Sequence, residues 1–191
     1  MRVRGISAAV TLCFICGPVA MAQTPQATQG QSSPAAQAAS MPTQQQQMMG
    51  YFAGDWKLAG TVKISPNSPG TPFTSTEHAE WVPGGFFLET HSSMKGPMGD
   101  VRGTRMMEYN AADKVYTYNA YNSLGEHVMA IGNVQGSTWV RNAEEKMNGV
   151  ITKGRYTVTF ISPDSYGFKS EVAKPGGGWA VVMEGKATRS Q

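Results

Sequence analysis

Cysteine is all but missing. Both copies, Cys13 and Cys16, fall in one apolar stretch near the start of the chain. If that stretch is removed, the remaining chain has neither a disulfide framework nor a thiol nucleophile. Charge is sparse too, at 15% of residues, with no cluster of lysine and arginine. That argues against nucleic acid as a partner. Histidine occurs three times, as His78, His91 and His127, so a zinc site has few ligands to draw on. No apolar run reaches the ~20 residues that a membrane-spanning helix needs. The signatures G-x-S-x-G, H-E-x-x-H and the P-loop are all absent. Past residue 54 no long stretch has helical periodicity.

The chain opens with the basic Met1-Arg2-Val3-Arg4, an apolar segment from Gly5 to about Val19, and Ala20-Met21-Ala22. This is the pattern of a secretory signal peptide cleaved after Ala22. The expected location is therefore periplasmic or extracellular, with no integral membrane segment after cleavage. Loss of Arg2 and Arg4 leaves 14 cationic against 13 acidic residues, a net charge of +1 rather than the +3 of the whole chain. Residues 23–46 are Gln, Ala, Pro, Ser and Thr with almost no apolar surface to offset ordering, and are expected to form a disordered linker. The folded domain is expected over 47–191. Just before it, Thr43 is placed to cap a short helix through Gln44–Tyr51 that buries Met48, Met49 and Phe52 and plugs one end of the domain.

From Asp55 onward the pattern is that of strands. Trp56, Leu58, Gly60, Val62 and Ile64 alternate with Lys57, Ala59, Thr61 and Lys63, giving one dry face and one wet face. Similar runs are expected over 72–82, 86–94, 100–109, 115–122, 127–134, 137–142, 150–161, 165–173 and 178–188. Turn-forming Gly, Pro, Asn and Asp separate them. About ten strands joined by short links predict an all-β fold: a single antiparallel up-and-down barrel, with closure removing the exposed edges. In this scheme Gly54 lets the chain turn sharply, Trp56 caps the open end, and Arg189 on the last strand stacks on Trp56 as the barrel closes.

Several of these residues together carry a family resemblance. They are Ala53-Gly54-Asp55-Trp56; Trp81-x-Pro83-Gly84-Gly85-Phe86-Phe87-Leu88-Glu89; Tyr109-Asn110 with Lys114-Val115-Tyr116; and Asn122-Ser123-x-Gly125. Ser162-Pro163-Asp164-Ser165-Tyr166 and Glu184-Gly185-Lys186-Ala187-Thr188-Arg189 complete the set. In this order they resemble the bacterial domain of unknown function family 1579. The resemblance implies a calycin-like, lipocalin-like barrel distantly similar to nitrobindins. Nitrobindin-type barrels hold haem through a late histidine; no histidine lies in the last third of this chain, so no haem is expected and no cofactor is predicted.

Candidate sites emerge from strand parity. In 178–188, Trp179, Val181 and Met183 share a face expected to point inward, as do Tyr166, Phe168 and Val172 in the preceding strand. In 86–94, either Leu88, Thr90 and Met94 face inward, or Glu89 and His91 do. In the second case Glu89 and His91 would offer a carboxylate and an imidazole to a polar head group or a proton transfer. Arg105 and Glu108 have opposite parity, so one of them is inside. Tyr116 and Tyr118 share a face and offer hydroxyl groups. The set for ligand contact is Glu89, His91, Tyr116, Tyr118 and Trp179. A Cu(I) site at His91, Met94 and Met98 is the metal alternative, since thioether and imidazole suit that ion.

The leading expectation is that the barrel interior binds a small apolar or amphipathic molecule. The competing expectations are an envelope-structural or protein-interaction module with a filled barrel, and a barrel enzyme using Glu89 and His91 as acid and base. The oligomeric state is not legible in the sequence.

Overall fold

The computed structural model describes residues 41–147 and 150–190. The expected signal peptide and residues 23–40 of the expected linker lie outside the described residues. The fold begins with α1 (Gln44–Met48), which continues as a 3-10 turn over Met49–Phe52. Thr43 caps α1 reciprocally: its hydroxyl accepts from the Gln46 amide, while the Gln46 side chain accepts from the Thr43 amide. Two of the helix's orphan N-terminal donors are thereby satisfied.

Ten strands come next: β1 (Gly54–Val62), β2 (Thr71–Trp81), β3 (Phe87–Gly96), β4 (Gly99–Asn110) and β5 (Val115–Asn122). After them run β6 (His127–Gln135), β7 (Thr138–Met147), β8 (Val150–Ser162), β9 (Ser165–Ala173) and β10 (Trp179–Arg189). Each pairs antiparallel with its sequence neighbour, and β1 pairs with β10, so the sheet is a closed barrel without an edge. The strands lie where alternation and turn residues place them. The largest difference is in β7, which runs on to Met147.

At the seam, Trp56 pairs with Arg189 and Gly60 with Gly185. The two glycines are a steric requirement. A Cβ on Gly185 would collide with the Ala59 carbonyl oxygen and sit 2.7 Å from the Phe168 ring. The Arg189 guanidinium lies 4.3 Å over the Trp56 ring and donates to the carbonyls of Ala53 and Tyr51. Gly54, at φ 99°, leaves room for it: a side chain there would meet Arg189 Nη1 at 3.0 Å.

The helical segment plugs this end of the barrel. Met49 is fully buried, whereas Met48, expected on the inner side, is 40% exposed. Tyr51 packs on Phe160, Phe52 on Trp139, and Trp56 on Tyr166, with ring centroids 4.1–5.2 Å apart. Three polar atoms tie the plug to the wall. The Trp56 indole donates to the Phe52 carbonyl, the Tyr116 hydroxyl to the Gln45 carbonyl, and the Tyr51 hydroxyl reaches the Ser162 carbonyl at 2.7 Å. Aromatic pairs of this kind add about 0.5–1.5 kcal/mol each beyond their buried area.

Candidate functional site: the barrel interior

The half of the barrel away from the plug is hollow. Its cavity has a volume of about 300 Å³. Apolar walls come from alternate residues of the strands: Leu58, Phe73, Met94, Val128, Phe168 and Met183. Small residues make the space, among them Ala120, Ala130, Ala143 and Gly154. They sit at positions where larger inward side chains would fill the core.

The floor of the cavity is polar, formed by Glu77 (β2), Arg105 (β4), Tyr118 (β5), Arg141 (β7) and Tyr156 (β8). Arg105 Nη2 lies 2.5 Å from Glu77 Oε1, with side chains 20% and 10% exposed. Burial works against the charge on Arg105, but the Glu77 carboxylate and the Tyr118 oxygen more than compensate, raising its pKa well above the usual value. Arg105 Nε has no hydrogen-bond partner among the described residues.

Arg141 is 8% exposed. Its guanidinium stacks on two phenol rings, 4.0 Å from the Tyr118 centroid and 4.6 Å from that of Tyr156. Burial pushes the Tyr156 phenol well above its ordinary pKa, although the Arg141 charge lowers it in part. Tyr156 is therefore a neutral hydroxyl at any physiological pH.

The strand parities correct part of the sequence reading. In β3 the inner face is Leu88, Thr90, Ser92 and Met94, so Glu89 and His91 point outward. Their side chains are 31% and 55% exposed and pair with each other at 3.4 Å on the outer wall, away from the cavity. Of the pair on β4, Arg105 is inside and Glu108 outside, where it accepts from Thr117. Trp179 also faces outward. A bulge between Val181 and Met183 flips the parity of β10, so Met183 enters the cavity while Trp179 lies on the outer wall under Arg155, 4.4 Å away. Tyr118 reaches the cavity floor. Tyr116 faces inward at the plugged end, against Trp139 at 4.4 Å. The copper set does not converge, for His91 is outside, Met94 inside, and Met98 43% exposed in a turn. None of the three histidines points into the cavity.

Sequence reasoning overlooked Glu77 and Arg141. The signal was there, as a charged residue breaking an apolar face: Phe73-x-Ser75-x-Glu77-x-Ala79 in β2 and Trp139-x-Arg141-x-Ala143 in β7.

The family described as "Protein of unknown function (DUF1579)" matches residues 41–189. No curated protein matches the sequence. Among solved structures, Rv2717c from M. tuberculosis is similar at 13% identity and a TM-score of 0.59, over 78% of this chain and 99% of that one. The S-type phycobiliprotein lyase CPES from Guillardia theta is similar at 10% identity and a TM-score of 0.54, over 76% of this chain and 92% of that one. At such identities the likeness is one of fold.

Proposed function

This chain belongs to the DUF1579 family, and we propose that it binds a small amphipathic molecule inside its barrel, as a carrier or receptor working outside the cytoplasm. One observation carries the reading: a closed, plugged barrel that keeps a cavity of about 300 Å³ with apolar walls above a polar floor. A barrel built only as a scaffold gains stability by filling such a space, since each buried void forfeits packing. The volume is at the small end for ligand pockets. At ~30 Å³ per water-sized group it suits roughly ten non-hydrogen atoms. Export is part of the reading and rests on the leading basic and apolar segments with Ala20-Met21-Ala22.

The test is native mass spectrometry of the full-length protein expressed in its own host. It should show a mature chain beginning at Gln23 and an added mass that unfolding releases. In parallel, the neutral dye 1-aminoanthracene should brighten on binding, and Ala130→Phe, which fills the cavity, should abolish the effect. A chain with no added mass and no dye binding would favour a structural role.

A further inference from the structure

We infer that the ligand is a monocarboxylate with a short apolar body, its carboxylate seated on Arg141. The inference rests on the cavity-binding function proposed for the barrel and adds the charge and orientation of the occupant.

Three charged side chains form the cavity floor, and they do not cancel. Glu77 is the one acid among the described residues that line the cavity, and it is committed to Arg105. Arg155, which edges the cavity, meets Glu171 Oε2 at 2.8 Å and lies over the Trp179 ring, with Glu171 shared by Lys169 at 3.3 Å. Of the three arginines, Arg141 alone has a side chain with neither an ion pair nor a hydrogen bond among the described residues, although the residue is more than nine-tenths buried.

Arginine cannot shed its proton to escape burial. The tyrosine faces on either side of Arg141 attract its cation but leave its five N–H donors unused. Those donors form a planar fork that matches a carboxylate in two parallel hydrogen bonds. The floor carries one surplus positive charge, two arginines against one glutamate. A monoanion balances it; a dianion would overshoot and bring a net negative charge into a low-dielectric site. The hydroxyls of Tyr118 and Tyr156 offer further donors. Above the floor the walls are Leu58, Phe73, Met94, Val128, Phe168 and Met183. A molecule with its acid group down therefore places its carbon chain against apolar surface.

The experiment is calorimetric titration of the full-length protein, freed of any copurified molecule, with four probes of equal chain length: octanoate, 1-octanol, octylamine and octyl phosphate. Octanoate should bind at least about tenfold tighter than 1-octanol, the range expected of a charge-assisted hydrogen-bonded pair. Octylamine should bind worst. Arg141→Met should erase the preference, bringing octanoate down to about the level of 1-octanol measured on the same variant. Arg141→Lys, which keeps the charge but loses the fork, should fall between.

Equal binding of octanoate and 1-octanol by the wild-type protein would overturn the inference and leave the cavity reading intact. Tighter binding of octyl phosphate than of octanoate would overturn the carboxylate assignment. Failure of every probe to bind would overturn both readings. The wild-type comparison stands even if a variant fails to fold.

Discussion

Replacing Arg141 with methionine should stabilise the ligand-free protein while destroying its preference for acids. Moving a guanidinium from water into a site only 8% exposed costs several kcal/mol. The rings of Tyr118 and Tyr156, at 4.0 and 4.6 Å, each return about 2 kcal/mol. Methionine removes both terms, has a similar length and adds apolar contact. Exchange of buried charge for apolar side chains is neutral to stabilising by about 1–4 kcal/mol in other proteins. The cavity lies next to the group and softens the penalty, so the expected gain is about 1–2 kcal/mol. For a domain of this size that is a Tm rise of about 2–8 °C. The assay is urea unfolding followed by tryptophan fluorescence, on delipidated wild-type and variant protein. Adding octanoate should then reverse the order, because only the wild type gains the stabilisation of a ligand that binds the native state. A ligand-free variant less stable than wild type by about 1 kcal/mol or more would refute the reasoning. The guanidinium would then be satisfied by its own surroundings, with no need of an anion.

Gly185→Ala should destabilise by about 3 kcal/mol, the upper end for overpacking, because the new Cβ runs into the Ala59 carbonyl oxygen; an unchanged urea midpoint would show that the seam yields to an extra methyl group and is not close-packed. Arg189→Met should cost about 2–4 kcal/mol, through the lost bonds to the Ala53 and Tyr51 carbonyls and the lost stack on Trp56. It should also shift the Trp56 emission, and equilibrium unfolding checks both. His78 should titrate above 6.5, raised by its hydrogen bond to Asp55 at 2.8 Å and by that carboxylate's charge. A raised folded-state pKa stabilises below 6.5, and the contribution disappears as pH climbs through the raised value. An NMR titration of the imidazole should show that shift, and Asp55→Asn should return it toward 6.5.

Much of the fold is legible locally. Strand, turn and cap signals are short-range, so Trp56-x-Leu58-x-Gly60-x-Val62, Pro83-Gly84-Gly85 and Thr43 with Gln46 each declare their element. Inward parity is harder. In β3 the two faces are Phe87, Glu89, His91 and Leu88, Thr90, Ser92; each mixes apolar with polar residues, and alternation cannot rank them. In β10 the alternation is misleading, because the bulge after Val181 inserts one residue and turns Trp179 to the outside.

The sequence by itself determined ten strands, their chain order and the short capping helix, because each is set by neighbours within a few positions. Only the tertiary structure decided that Glu77, Arg105 and Arg141, from three separate strands, share one buried layer. Closure sets the register of each strand against the next all the way round, and register alone assigns a charged side chain to the interior. The surplus charge of that layer is a property of the assembled ring, written in none of its strands.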